Sequence, residues 1–502
     1  MRTIILLLFT GLLISLSSCR EDFEFKESVG GLEFSRDTVY LDTVFTDIGS
    51  STYTLKVYNR SDEDISIPTV QLGRGLDSKY RMTVDGMQGN NGKVFNNVEM
   101  LANDSLYIFI ETTANIADAN PDDFLYTDQI QFGAGTQTQT VELVTLIQDA
   151  VFLYPQRNDQ GVYETIQVGV NASGEPVNAR GFFLEGDAEF TWTKEKPYVI
   201  YGYAGIPTGE TLTVEAGARI HFHESSGIFA ANGASLKVNG TIEEQVIFEG
   251  DRLEPGFSNV PGQWGTIWLS AGSIGNEFHN ATIKNAIYGL YVQQSDLLLE
   301  NVQVYDSSNF GILAETATIT GKNVVINTAG QASLACTLGG NYEFKHSTFN
   351  NDWPSSQQAA VYIDNFFTVG DVEQPFTLVR ADFRNCIIYG SNQTELQINI
   401  SEDESFWNTP NFSKCLIKFN NTNPQFYIQN PQYAFINDEV QILKSENPDF
   451  FDPNNNDLRI SLDSPAIGFG DMTVTSEVPF DITGAPRTSP DLGAYVATAL
   501  ED

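Results

Sequence analysis

Six copies of one hexad constrain this chain more than any other feature. They begin at Phe278, Leu299, Gly321, Phe344, Phe383 and Phe412, as in Phe278-His279-Asn280-Ala281-Thr282-Ile283. Each copy reads apolar (once Gly), polar, polar, small or apolar, any residue, apolar. The first four start 21, 22 and 23 residues apart. A period in the low twenties with strand-like alternation predicts a solenoid, because a single repeat buries its apolar face only by stacking on its neighbours. The fourth and sixth positions lie two apart, so on a strand both point inward. The two polar positions interrupt that alternation and predict a bend. Asn280, Asn301, Asn323 and Asn385 hold the second polar position, and Asn tolerates left-handed backbone better than other non-Gly residues. A second column follows the early hexads at Tyr288-Gly-Leu-Tyr-Val292, Phe310-Gly-Ile-Leu-Ala314 and Gln331-Ala-Ser-Leu-Ala335.

The Asn column, together with Pro207-Thr-Gly-Glu-Thr-Leu-Thr-Val-Glu-Ala-Gly217, Gln263-Trp-Gly-Thr-Ile-Trp268 and Asn385-Cys-Ile-Ile-Tyr-Gly390, resembles the pectate-lyase-like superfamily of right-handed parallel β-helices. The runs Asp463-Ser-Pro-Ala-Ile-Gly468, Asp481-Ile-Thr-Gly-Ala-Pro-Arg487 and Asp491-Leu-Gly-Ala-Tyr495 resemble the closing segment of secreted β-helix proteins. The resemblance implies a fold over roughly residues 190–500, with roughly a dozen coils. It says little about activity.

The rest of the chain is organised around that solenoid. Arg2 and the apolar run from Ile4 to Leu16 match a secretory signal, and Leu16-Ser-Ser-Cys19 resembles a bacterial lipobox with Cys19 as the lipidated residue. The following Arg20-Glu-Asp-Phe-Glu24 resembles export signals of surface lipoproteins. The expected plan is a signal peptide over 1–18, a tether over 19–32, a β-sandwich over 33–150, a connector or cap over 151–190 and the β-helix over 191–502. The sandwich rests on about seven short alternating strands, among them Tyr53–Tyr58 and Ser105–Ile110, and is similar to immunoglobulin-like domains of bacterial surface lipoproteins. The fold class is therefore all-β: an N-terminal β-sandwich followed by a right-handed parallel β-helix. The implied location is the outer membrane of a Gram-negative cell, lipid-anchored and facing the exterior.

A formal charge of −38 argues against nucleic acid as a partner and sits badly with polyanionic substrates such as pectate or alginate. The aspartate motifs of pectin-hydrolysing β-helices are missing. Lys322, Lys345 and Arg384 share the first polar hexad position, so they form a basic column that either tracks an anionic glycan or covers a solvated turn edge. Two hexad intervals of 39 and 29 residues exceed one coil and must leave the scaffold as loops. The first carries Asp352, Trp353 and Asp364; the second carries Glu402, Glu404 and Trp407. Trp353 and Trp407 brought to one side, beside those carboxylates, would suit a sugar; alternatively each Trp pins its own loop. Asp352 with Asp364, or Glu402 with Glu404, are candidate acid/base pairs.

No zinc or redox spacing occurs, and His221 with His223 lacks a third ligand. Asp452-Pro-Asn-Asn-Asn-Asp457 faintly resembles a calcium loop, so the expected cofactor is none, with calcium open. Cys386 and Cys415 occupy one inward hexad position, either as stacked thiols or as a disulfide. The sequence favours a non-catalytic glycan-binding or adhesive surface scaffold. Its partners would be the membrane, through the anchor, and polysaccharide or other surface proteins. A polysaccharide lyase or glycosidase and a structural spacer are the alternatives.

Overall fold

A computed structural model describes residues 24–499 apart from Ala134, Ala172 and Asp371; Cys19 and the signal-like segment lie outside the described residues. The chain forms two compact units, one ending at Asp149 and one beginning at Ala150.

The first unit is a β-sandwich of a six-stranded and a four-stranded sheet, more strands than the seven read from the sequence. The larger sheet runs Lys26–Glu27, Ile65–Leu72, Leu125–Phe132, Gln139–Gln148, Thr38–Phe45, with Val94–Met100 also on Ile65–Leu72. The smaller runs Glu33–Phe34, Tyr53–Tyr58, Ser105–Thr112, Tyr80–Val84. Strict alternation makes this possible. In Ser105–Thr112, Leu106, Ile108 and Ile110 are buried while Tyr107 and Phe109 face out. Lys26–Glu27, expected in a tether, instead pair in parallel with Ile65–Ser66.

The second unit is the right-handed parallel β-helix. Its first rungs come from the expected connector: Val151–Leu153 pair with Tyr198–Ile200, and the hairpin Thr165–Val170/Pro176–Phe183 pairs with Tyr203–Ile206. Each coil then contributes to two sheets. A bent 17-stranded sheet holds the hexads, and a straight 10-stranded sheet holds the second column. In the straight sheet, eight parallel strands run from Tyr203–Ile206 to Leu396–Asn399. In the bent sheet, eleven strands pair in parallel succession from Val151–Leu153 to Ile442–Lys444, close to the dozen coils expected. Loops lengthen two of the coils, and Ile442–Lys444 adds the last parallel rung on Cys415–Ile417.

The six hexads are in register. Phe278, Leu299, Gly321, Phe344, Phe383 and Phe412 pair in succession and point into the core. Gly321 interrupts the large residues because a Cβ there would lie 2.4 Å from the Phe344 ring. The second polar position is left-handed in every copy: Asn280, Asn301, Asn323, His346, Asn385 and Lys414 have φ between 46° and 57°. Carboxamides link the column, Asn301 donating to Asn280 at 3.0 Å and Asn323 to Asn301 at 2.9 Å. Cys336, Cys386 and Cys415 are free thiols buried in the core.

The C-terminal segment turns back over this ladder. Asn323 donates to the Phe480 carbonyl, and the buried Arg487 guanidinium donates to Asn323 Oδ1 at 2.9 Å and to the Gly493 carbonyl at 3.0 Å. Asn385 exchanges hydrogen bonds with the Asp471 backbone. The fifth hexad position explains where the segment lies. Thr282 and Gln303 are polar, but Val325, Ile387 and Leu416 are apolar, outward and fully buried beneath Leu458, Ile460, Ile482 and Leu492.

Asn323 therefore carries three loads: the left-handed bend, the ladder and the anchor of a buried cation. Asn323→Ala is expected to cost about 3 kcal/mol, because it strands the Arg487 guanidinium as well as removing a bend residue. Asn301→Ala, which faces no buried cation, should cost less. Chemical denaturation of both variants checks the order.

Candidate functional site

The long loops do not converge as expected. Asp352 and Trp353 precede the strand Ala359–Asp364, whereas Glu402, Glu404 and Trp407 follow the strand Leu396–Asn399. Those two strands are parallel neighbours, with Val361 opposite Leu396 and Asp364 opposite Asn399. The two Trp loops thus leave opposite edges of the straight sheet, roughly 15–20 Å apart at about 3.3 Å per strand residue. Asp352 and Asp364 sit at opposite ends of one strand and are no acid/base pair. Trp407 is half-buried against the core, and its indole N–H donates to the Ser401 carbonyl at 3.0 Å, pinning its own loop. Glu402 and Glu404 are exposed on that loop. Beside it stands the hairpin Phe366–Val369/Val372–Pro375, tied to it through Asn365.

The basic column exists in register: Lys322 pairs with Lys345, and Lys345 with Arg384. Every member already faces a carboxylate. Lys322 lies 3.1 Å from Glu300, Lys345 lies 2.9 Å from Glu343 and 2.5 Å from Glu477, and Arg384 bridges Glu343 and Asp382. The calcium-like run instead makes a turn in which Asn456, at φ 64°, donates to Asp306. Among the described residues, no three His, Cys, Asp or Glu side chains are grouped to hold a metal ion. His221 is buried with Nδ1 3.2 Å from the Gly250 carbonyl, and His223 pairs with Asp251 at 2.7 Å.

The face between the two loop edges carries what sequence reading missed. Residues of the straight sheet that point away from the core form one column through Phe229, Trp268, Tyr291, Leu313, Ala335, Tyr362 and Gln397, of which Phe229 and Ala335 are buried. The Phe229 and Trp268 ring centroids are 5.5 Å apart, those of Trp268 and Tyr291 5.0 Å. Tyr288 and Phe310 stack alongside at 5.8 Å. The next outward column holds Gln293, Glu315, Thr337, Asp364 and Asn399. None of the eight strands contains Lys or Arg, and Glu315 and Asp364 are their only acids. Glu315 accepts from the Tyr291 hydroxyl at 2.7 Å. Asp364 accepts from the Leu338 amide at 2.7 Å, and burial raises its pKa. The signal was present in Tyr288, Tyr291 and Phe310, but strands as short as Ile267–Leu269 give too little alternation to assign a face.

Near Trp353, Glu395 is wholly buried. Its carboxyl accepts from the Asn392 amide at 2.6 Å, the Ala360 amide at 2.9 Å and the Gln358 side chain. Those donors favour the ionised form, but burial outweighs them and pushes the pKa from 4.5 to about 7.

No protein-family model matches the chain, and no characterised protein matches it in sequence. Among solved structures, the catalytic unit of a thermostable GH87 alpha-1,3-glucanase from Streptomyces thermodiastaticus is similar at 10% identity over 69% of this chain and 76% of that one, TM-score 0.20. The E. coli chaperone DraB is similar at 16% identity over 24% of this chain, TM-score 0.16; this chain spans 57% of its length. The PapD-like domain 7 of human CEP192 is similar at 13% identity over 27% of this chain and 96% of that domain, TM-score 0.16. At such scores the likeness carries no function to this chain.

Because the folded-state pKa of Glu395 lies above its unfolded value, its proton is held more tightly in the native state. Its contribution to stability is present at low pH and is lost as pH rises from 4.5 through about 7. The loss is about 3 kcal/mol. Glu395→Gln should make the decline in urea midpoint between pH 5 and 8 markedly shallower. The part that remains has the same sign and belongs to groups such as Asp306, which burial pushes up to about 6.

Proposed function

We propose that this chain is a surface lipoprotein of a Gram-negative outer membrane, anchored through Cys19, that holds a neutral polysaccharide along the outer face of its β-helix without cleaving it. The half-buried outward rings of Trp268 and Tyr291, flanked by Tyr288 and Phe310 and backed by the buried Phe229, carry the reading. Ring faces pack against the apolar C–H faces of sugars, and the amide, hydroxyl and carboxylate groups of Gln293, Thr337, Glu315 and Asp364 suit sugar hydroxyls. The absence of Lys and Arg from these eight strands, among the described residues, weighs against a uronate ligand and against a lyase that uses Lys or Arg as its base. Binding in this reading needs no metal. A spacer would have no use for an aromatic column on one outward face.

One observation favours glycoside hydrolysis as a second reading. Glu315 is opposite Thr337, which stands beside Asp364, so the two acids lie two rungs apart in one column. Two rungs are about 9.6 Å, close to the carboxyl separation of roughly 6.5–9.5 Å used by inverting glycosidases.

Affinity electrophoresis of the full chain in gels containing neutral glucans or mannan tests both readings. Trp268→Ala and Tyr291→Ala should each weaken retardation about tenfold, or ~1.4 kcal/mol, with or without calcium. Retardation unchanged in both variants removes the binding reading. New reducing ends that vanish in Glu315→Gln or Asp364→Asn replace it with hydrolysis.

A further inference from the structure

We propose that the outer face of the smaller sheet of the sandwich is a second saccharide-binding site, for a neutral sugar. Tyr107 and Phe109 alternate outward on Ser105–Thr112 and are 46% and 42% exposed. Their rings lie 6.4 Å apart with only 17° between planes. Phe109 sits between Thr54 and Thr83 on the two adjoining strands, and Tyr107 is opposite Lys56. The Lys56 ammonium is 5.2 Å from the Tyr107 and Tyr58 ring centroids, which holds its aliphatic stem against the aromatic row.

A cleft of about 400 Å³ opens beside Phe109. This falls in the size range of small-molecule sites, about 300–1,000 Å³. Its floor is Phe109, Thr83 and the Arg81–Glu111 pair, and its wall is the loop that carries Gln88 and Asn91. Arg81 Nε donates to Glu111 at 2.8 Å, and the Thr52 hydroxyl donates to the other carboxylate oxygen at 2.5 Å. The loop wall is backbone-built: Gly92 donates to Gln88 O, Met82 donates to Gly92 O, and Asp85 donates to Tyr107 O.

Charge decides the class of ligand. Arg81 and Glu111 neutralise each other, so the cleft offers no net field to an ion, although the chain carries −38 overall. What remains is one aromatic platform, two threonine hydroxyls, two side-chain amides and a fixed ion pair. That set matches a ring with one C–H face and many hydroxyls. A protein partner needs roughly 800 Å² per side with an apolar centre, whereas the apolar surface here gives way at once to Thr54, Thr83, Lys56 and Arg81.

This site lies in a different unit from the β-helix face and does not depend on it. Isothermal titration of the full chain with maltoheptaose, laminarihexaose, cellohexaose and mannohexaose tests it, in wild type and in the Trp268→Ala/Tyr291→Ala variant. In that variant one oligosaccharide should still bind. Adding Tyr107→Ala/Phe109→Ala, or Gln88→Trp, which fills the cleft from the exposed loop, should weaken that binding at least tenfold. Thermal melts establish that each variant is folded, and Gln88→Trp carries the test if the double alanine variant is not. Binding untouched by the sandwich variants, or no oligosaccharide bound by the Trp268→Ala/Tyr291→Ala variant, overturns the proposal.

Discussion

The left-handed bend inside each hexad is the constraint on which the β-helix depends. A coil must change direction there within one residue, and any residue that resists positive φ would unwind the turn. Once six successive bends stack, register is fixed everywhere else. The Phe column closes the interior, and the outward column of the straight sheet acquires its order. A slip of one residue would exchange the two faces, which register this tightly specified prevents. The same column supplies the seat for the C-terminal segment, because Asn323 and Asn385 still have amide valences to offer after the ladder is satisfied.

Bend and stack were legible because both are local patterns. Phe278, Phe344 and Phe383 announce an inward face, and Asn at four bends announces the turn. His346 and Lys414 do not, yet they adopt the same conformation. His346 is held there by packing: it is buried, its Nε2 lies 3.0 Å from Asn385 and 3.1 Å from Thr475, and burial pushes its pKa down to about 3, so it stays neutral. Neighbouring Asn residues set the bend, and the His follows.

What stayed hidden depends on which corner of the coil an insertion leaves. Trp353 and Trp407 occupy neighbouring coils, but one precedes a straight-sheet strand and the other follows one. No composition or spacing distinguishes those cases until strand order is known. The fifth hexad position reads as any residue in the repeat, and the partners that cover it at Val325, Ile387 and Leu416, among them Leu458, Ile460 and Leu492, arrive from a remote segment. Sequence alternation says that a face is covered and not by what.

Charge is distributed with the same economy as shape. The cations of the basic column, Lys322, Lys345 and Arg384, stand opposite Glu300, Glu343, Asp382 and Glu477, where they relieve a turn edge that would otherwise repel itself. The eight straight-sheet strands from Tyr203–Ile206 to Leu396–Asn399 are left with aromatic rings and two acids, and the smaller sandwich sheet with aromatic rings, Lys56 and one neutralised pair. An anionic polymer would meet repulsion from the whole chain and no compensating cation on the eight straight-sheet strands. A neutral sugar would meet neither obstacle, since ring contact and hydroxyl hydrogen bonds are barely touched by net charge. A strongly acidic surface then repels neighbouring acidic surfaces while leaving both faces open to uncharged glycan.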